Sequence, residues 1–564
     1  MKVSELEYKR VTIEEIREKS KAIIEMVKNA QSVEDVLKAR DEYNKNAEEL
    51  STEYALANMR YTINTIDEFY VKERDYYDEI IPEVQSIGLE YANALLESKF
   101  RPELEKALLP LVFKSYEVQK KSMSPEIIEE MVEENKIVSE YSQLMAGLTF
   151  EFRGERMPKT LLTKYFSDAD RDTRKEAYEA LGKGLEKVGD KLDDIFDRLV
   201  KIRDKMAKKM GYKNFVELGY YRMGRLCYDQ NDIEKFRANV LKDIVPVVAR
   251  LKTENAKTMG IDHMMLYDND IIIPEGNPKP CVDTDGIFKA AKEMYHEMSE
   301  DTGKFIDMMI ENEAFDVISR ENKWGGGYCT SFEKYAQPFI LANFNGTSGD
   351  VDVMTHEAGH AFADYMTSKN KFRFELGIGG METAETHSMS MEFFAWKYID
   401  KFFGENAQKY KFMHAFDALS FIPYGTIVDY FQHIVYENPE MTPAQRNEAW
   451  LKLESEFRPY LSMDGIPYLE KGTRWQYQMH IFETPFYYID YCLAQTAAFE
   501  FLLESQKDYD DAFKRYVKLL SQGGEKVFTE LLTEAGLASP FKDGALENVA
   551  VEIEQLLHKI KSEI

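Results

Sequence analysis

The chain has 564 residues, of which 44% are hydrophobic, enough for one large body or for several smaller domains. Its 100 acidic and 72 basic residues give a formal charge of −28, which argues against nucleic acid or an anionic membrane as partner. The four cysteines are widely spaced and form no CxxC pair, so neither a disulfide framework nor a cysteine zinc site is expected. No stretch approaches 18 uninterrupted apolar residues, and the opening residues lack an apolar h-region. We therefore expect a cytoplasmic protein with no obligate protein partner.

The first part of the chain, residues 1–160, is predicted to be a helical domain without chemistry of its own. Thr12 with Glu15, and Ser32 with Asp35, have the spacing of capping boxes at helix starts. The stretches between them are amphipathic at helical period. Alternating residues before a turn at Gly154 predict a short hairpin at the boundary.

Two further strands are predicted, at residues 315–330 and 337–344. The first runs into Gly325, Gly326 and Gly327, and the second begins beside Pro338. Glycines let another backbone approach closely, and an exposed strand edge can pair with an extended peptide through main-chain hydrogen bonds. A buried hairpin with glycine at its turn is the alternative interpretation of the same pattern.

The residues that follow carry the strongest chemical motif, His356-Glu357-Ala358-Gly359-His360, which we expect to be capped by residues 347–350. In a helix, the two histidines lie four residues apart on one face and can bind one divalent metal ion. Glu357 can then reach a water molecule at the metal and act as a general base. Gly359 is a poor helix residue, and it predicts the close approach of another element or a substrate.

A second helix rich in carboxylates is predicted from Gly380 to Phe394, running antiparallel to the first. A catalytic zinc ion takes three protein ligands and leaves one position open. Glu385 and Glu382 are rival third ligands by position, and for Glu382 a solvated helix face is an equal alternative. Glu392, seven residues after Glu385, can orient a ligating imidazole.

The last chemical cluster contains His480 and the tyrosines Tyr487, Tyr488 and Tyr491. Amide hydrolysis passes through a tetrahedral oxyanion, which a phenol or an imidazole can stabilise. An aromatic core stripe is the alternative for this segment. His414 and His433, in a predicted buried helix, are interpreted as core or surface histidines rather than ligands.

The motif at 356–360, followed by Ala384-Glu385-x-x-Ser388-x-x-x-Glu392, resembles the thimet oligopeptidase and oligoendopeptidase F family of zinc metallopeptidases. The resemblance runs from about Ser167 to the C-terminus. It implies a mainly α fold, a two-lobed helical body around a deep cleft, with one small β-sheet beside the zinc helix. It also implies that residues 161–564 form the catalytic domain and that residues 1–160 wall the cleft.

The resemblance further implies one Zn²⁺ per chain, held by His356, His360 and Glu385, with Glu357 as the base. His480 and one or two of the three tyrosines would stabilise the oxyanion. The sheet edge, formed by Gly326, Gly327, Tyr328 and Thr330, would bind the substrate backbone. The implied activity is cleavage of internal bonds in short peptides, because a deep cleft admits only a thin chain.

Two other classes of function remain open at this point. A metallo-carboxypeptidase on a related helical fold would share the zinc residues, but would need a basic group to bind the substrate's C-terminal carboxylate. A helical peptide-binding protein with a vestigial motif would bind zinc without cleaving peptides.

Overall fold

The N-terminal part of the chain is helical, as predicted. The computed structural model describes residues 1–564. The first six helices are α1 (Ile13–Lys28), α2 (Val33–Ile63), α3 (Glu68–Leu96), α4 (Arg101–Leu108), α5 (Pro110–Ser122) and α6 (Ile128–Ala146). Both predicted capping boxes are present, with Thr12 accepting from the Glu15 amide and Ser32 accepting from the Asp35 amide. A small core of 16 buried residues lies almost wholly within α1 to α5.

A hairpin and a second group of helices follow. Strands β1 (Thr149–Phe152) and β2 (Glu155–Pro158) pair antiparallel around the predicted turn. The helices are α7 (Lys159–Leu162), α8 (Arg171–Glu186), α9 (Gly189–Lys209), α10 (Phe215–Arg222), α11 (Gln230–Asn239), α12 (Val245–Thr258), α13 (Thr284–Met298) and α14 (Glu300–Glu311). The hairpin and α7 therefore join the N-terminal helices to the rest of the chain.

The second sheet has three strands, β3 (Phe315–Ile318), β4 (Tyr328–Phe332) and β5 (Gln337–Phe344). Its order is β3-β5-β4, with β5 parallel to β3 and antiparallel to β4. The predicted single strand over 315–330 is wrong, because β3 ends at Ile318 and the three glycines lie in the loop before β4. Strand β4 is an edge strand, so one side of its backbone has no partner strand.

The metal motif lies in α15 (Gly349–Thr367), which is followed by the short helix α16 (Arg373–Leu376) and by α17 (Met381–Phe394). The predicted cap is corrected in detail. Ser348 makes no side-chain capping bond. Asp350, in the first turn, instead accepts from the amides of Asn345 and Gly346, both at 2.8 Å. Its carboxylate fixes the chain between β5 and α15.

The remaining helices enclose α15 and α17. They are α18 (Asp400–Phe403), α19 (Ala407–Glu437), α20 (Pro443–Phe457), α21 (Met479–Glu483), α22 (Tyr488–Lys507), α23 (Tyr509–Ser521), α24 (Phe528–Glu534) and α25 (Ala545–Lys561). A continuous core of 127 buried residues runs along the chain from Val3 to Ile560 and includes these helices. None of the helices combines the length and apolarity required to cross a lipid bilayer. All four cysteines are free thiols.

Candidate metal centre and active-site cleft

Three side chains from two helices converge in one cleft. The ligand atoms of His356, His360 and Glu385 all lie within 4.8 Å of one another. Glu385 Oε2 is 3.2 Å from His356 Nε2 and 3.4 Å from His360 Nε2. Two imidazole nitrogens and one carboxylate oxygen form the donor set that zinc takes in catalytic sites. The arrangement therefore fits a zinc ion with an open coordination position.

The two helices can approach because Gly359 has no side chain. A Cβ atom at this position would lie 2.6 Å from Ser388 Cα and 2.8 Å from the His387 carbonyl oxygen. Distances below 3.0 Å require something to move, so only glycine is tolerated without a shift of α17. The sequence-based expectation of a close approach at Gly359 is thus met by a helix rather than by a substrate.

Glu385 is 1% exposed, and two groups besides the histidines hold its carboxylate in place. Ser388 Oγ donates to Glu385 Oε2 at 2.9 Å, and Tyr487 Oη donates to Oε1. Burial alone would raise the pKa of Glu385, but the imidazoles of His360 and His356 outweigh it and hold that pKa well below its usual range. The carboxylate is therefore ionised and oriented as a metal ligand requires.

Glu392 lies behind the metal cluster, on the far side of the His356 ring. His356 Nδ1 is 2.7 Å from Glu392 Oε1, and His414 Nε2 is 2.8 Å from Glu392 Oε2. A proton on Nδ1 donated to the carboxylate leaves the lone pair of Nε2 directed at the cluster. His414 is buried and is not a ligand, but it is a partner of Glu392 that the sequence did not reveal.

Glu357 faces the same cleft and is 6% exposed. Its Oε2 atom has no hydrogen-bond partner, although it is buried. Burial raises the pKa of the Glu357 carboxyl above its usual value. A buried carboxylate with a free oxygen beside a metal cluster can accept a proton from a water molecule held there.

His480 lies opposite, and its tautomer follows from two hydrogen bonds. Tyr424 Oη donates to Gln478 Oε1 at 2.7 Å, which turns the Gln478 amide nitrogen toward His480 Nδ1 at 3.0 Å. Nδ1 is then the acceptor, so the proton is on Nε2. Burial lowers the pKa of His480 to about 4. A neutral imidazole is thus presented to the cleft, with its Nε2–H on the side of Tyr491 Oη. Gln478 carries no recognisable signal in the sequence, because its partner Tyr424 is 54 residues away.

The three candidate tyrosines are placed differently. Tyr487 and Tyr491 line the cleft that contains the metal cluster, whereas Tyr488 does not. Tyr491 Oη is 3.4 Å from His480 Nε2. The Tyr488 ring packs behind His480, with centroids 4.9 Å apart. The structure therefore brings Tyr487 and Tyr491 to the cleft wall and keeps Tyr488 in the supporting layer.

The edge strand β4 forms another wall of this cleft. Gly327, Tyr328 and Thr330 line the cleft itself, whereas Gly326 lines an adjacent cavity. A Cβ at position 327 would lie 3.2 Å from Glu357 Oε1, so glycine keeps this segment close to the base. Tyr328 Oη is 2.7 Å from Thr62 Oγ1 of α2, which fastens the strand to the N-terminal helices.

Glu382, the rival ligand, lies outside the metal cluster. It is 5% exposed, so the expected alternative of a solvated helix face is also wrong. Its Oε2 is 3.5 Å from Tyr228 Oη, which donates to Asp490 at 2.5 Å. Glu382 therefore belongs to a buried network between α17 and α22.

Sequence reasoning also missed a charged group at the cleft wall. Arg373 of α16 donates to Glu333 Oε1 at 2.8 Å and to Asp364. All three side chains line the cleft. They come from three separate segments, so no local pattern could have predicted that they meet.

The helical fold and this donor set place the chain in the class of metallopeptidases. Comparison with known proteins agrees with that class. A model described as "Peptidase M3 N-terminal domain" matches residues 3–123, and one described as "Peptidase family M3" matches residues 164–551. A solved structure of PZ peptidase A with an inhibitor is 43% identical, with a TM-score of 0.97 and 99% of each chain covered.

Two more distant relatives are also named as peptidases. Oligopeptidase PepF of Bacillus subtilis is 22% identical over 70% of this chain, and the match spans 59% of PepF's own length. An oligoendopeptidase F homolog of Borreliella burgdorferi is 20% identical over 76% of this chain and 74% of its own. The chain belongs to peptidase family M3, and its enzyme class is that of the metalloendopeptidases.

Proposed function

We propose that this chain is a zinc-dependent oligoendopeptidase that hydrolyses internal bonds of short peptides. The observation that carries the proposal is the convergence of His356, His360 and Glu385 beside the free oxygen of Glu357. The resemblance to oligopeptidase PepF and to PZ peptidase A supports the same activity.

One zinc ion per chain would be held by His356, His360 and Glu385. The chemistry that zinc supplies when bound is Lewis-acid activation of a water molecule and polarisation of a carbonyl. Glu392 keeps the His356 ring oriented, and Ser388 keeps the Glu385 carboxylate oriented. These partners reduce the freedom of the ligands before any substrate arrives.

Glu357 acts as the general base and then as the general acid. Its free Oε2 takes a proton from the attacking water and delivers it to the leaving nitrogen of the peptide. The raised pKa of this buried carboxyl favours that exchange, because the protonated form is more accessible than for an exposed glutamate.

The developing oxyanion would be stabilised from the opposite wall. His480 presents its Nε2–H to the cleft, and Tyr491 presents a hydroxyl group beside it. Tyr487 also lines the cleft, but it donates its hydroxyl proton to Glu385 and supports the metal ligand instead. Donors that are already oriented cost little reorganisation when negative charge forms. We propose that Tyr488 acts only by packing, because its ring lies behind His480.

Strand β4 supports binding of an extended peptide. Its free edge can add a strand through main-chain hydrogen bonds, which tolerates many side chains. The cavity at the metal cluster has a volume of about 480 Å³ and is walled by helices. We propose that residues 1–160 wall the cleft and that residues 161–564 form the catalytic domain. A cytoplasmic location, and the lack of a nucleic-acid, membrane or obligate protein partner, remain predictions from the sequence.

The test compares the wild type with three single variants on a pool of short peptides and one unfolded protein. Glu357→Gln should keep zinc and lose cleavage, whereas Glu385→Gln should lose zinc. Glu382→Gln is the matched control on the same helix and should keep both. Zinc is measured by elemental analysis and products by mass spectrometry. Release of single C-terminal residues would instead support a metallo-carboxypeptidase. An intact pool with zinc-loaded wild type would refute catalysis.

A further inference from the structure

A second cavity of about 250 Å³ continues from the metal cleft and is not used by the mechanism above. The two share the side chains of Trp324, Met479 and Glu483 and the backbone of Gly327. The far wall comes from α6, α7 and the segment before α21. A substrate that extends past Gly327 would therefore enter this cavity.

The cavity contains one cation without an acidic partner, Lys159. Its Nζ lies 4.8 Å from the centroid of the Tyr477 ring. It makes none of the structure's hydrogen bonds or ion pairs, whereas Lys323, the other lysine of this wall, is held by Asp316 at 2.8 Å. Burial and the nearby Arg474 lower the pKa of Lys159 to about 8, so it is mainly charged at neutral pH. Lys159 is partly buried, and a charge that is partly removed from water without a counterion is costly, so an anionic ligand would relieve that cost.

A second donor lies beside the ammonium group. Tyr477 Oη accepts from Arg474 Nε at 3.1 Å, which leaves the proton of the tyrosine free to donate. The carboxylate on this wall, Glu483, accepts from Ser142 Oγ at 2.6 Å. Burial raises the pKa of Glu483 above its ordinary value.

The position of the cation also indicates the direction of a bound peptide. A peptide antiparallel to β4 places its C-terminal residues at the N-terminal end of that strand, where Gly325 and Gly326 border the second cavity. A parallel peptide would bring its ammonium group toward Lys159 and be repelled. The base Glu357 lies at Gly327, so residues beyond that point belong to the leaving fragment.

We propose that Lys159 and Tyr477 form a subsite for the free α-carboxylate of the substrate peptide. The subsite deepens the proposed peptidase function, on which it rests. Cleavage would then occur at a fixed number of residues from the C-terminus, whatever the length of the peptide. The free carboxylate becomes a determinant of substrate choice, alongside the width of the cleft.

The test uses one fluorogenic peptide in two forms, with a free C-terminal carboxylate and with a C-terminal amide. The measured quantity is the ratio of kcat/KM between the two forms. A charge-assisted hydrogen bond predicts a ratio of roughly ten to a hundred for the wild type. Lys159→Met should bring the ratio close to one, and Lys159→Arg should restore most of it. Lys164→Met is the matched control, because Lys164 is half-buried over the Tyr165 ring at 4.7 Å and should keep the wild-type ratio.

A second measurement separates this proposal from the proposed function. Dissociation constants of the acid and amide peptides are measured on Glu357→Gln, with and without Lys159→Met. Tighter binding of the acid that depends on Lys159 supports the subsite even if the wild type cleaves neither peptide. If the acid-to-amide ratio of kcat/KM is the same in the wild type and in Lys159→Met, the proposed subsite is wrong. This holds also if Lys159→Met lowers kcat/KM for both peptides by the same factor. Cleavage that does not keep its distance from the C-terminus as the peptide is lengthened also overturns it.

Discussion

The contact at Gly359 gives a prediction that can be worked from distances. Gly359→Ala places a Cβ 2.6 Å from Ser388 Cα, whereas non-bonded carbon atoms rest at about 3.5–4.0 Å. Helix α17 must therefore retreat by roughly 1 Å, and it carries Glu385 with it. Metal–ligand distances hold to within about 0.2 Å, so the cluster cannot absorb such a shift. We expect zinc affinity to fall roughly ten- to a hundredfold, as it does when partners that orient metal ligands are removed.

The same overlap should lower the free energy of unfolding by about 1–3 kcal/mol. Zinc affinity is measured by competition with a chromophoric chelator, and stability by denaturant unfolding of the zinc-free protein. Gly88→Ala in α3 is the matched control, because its Cβ would meet only Gln119 and Tyr43 side-chain atoms, at 3.4 Å. That variant should bind zinc normally and gain up to about 1 kcal/mol of stability. Wild-type zinc affinity in Gly359→Ala would refute the argument that glycine sets the spacing of the two helices.

Three further predictions concern charged side chains that are buried or partly buried. Glu392→Gln should weaken zinc binding roughly ten- to a hundredfold, measured by chelator competition, because its carboxylate orients a ligating imidazole; unchanged affinity would contradict that role. Glu134→Gln should lower the free energy of unfolding by about 3–5 kcal/mol, measured by denaturant unfolding. The reason is that Arg203, which is 0% exposed and whose Nε lies 2.6 Å from Glu134 Oε1, would lose its anionic partner. A loss below about 1 kcal/mol would contradict this role of Glu134. The preference for acid over amide peptides should decline as the pH rises through about 8, because Lys159 loses its proton there; a preference constant to high pH would exclude this lysine as its source.

Several features could be predicted from local pattern alone. The spacing of His356 and His360 fixes both rings on one helical face, and the capping boxes at Thr12 and Ser32 fix where α1 and α2 begin. These are interactions within one or two turns of a helix, so neighbouring residues determine them. The mainly α fold follows in the same way from the period of the apolar residues.

Other features depend on packing between distant segments, and only the tertiary structure decided them. Glu382 and Glu385 are equivalent by position in a helix. In the folded chain Glu382 contacts Tyr228, whereas Glu385 contacts the metal-motif histidines. Tyr487 reaches the cleft and Tyr488 does not, because α22 begins between them and turns their rings apart. The cation Lys159 had no sequence signal at all. Tyr477 and Arg474, which lie beside it, are more than 300 residues away along the sequence, and burial and charge at such a site exist only once the chain has folded.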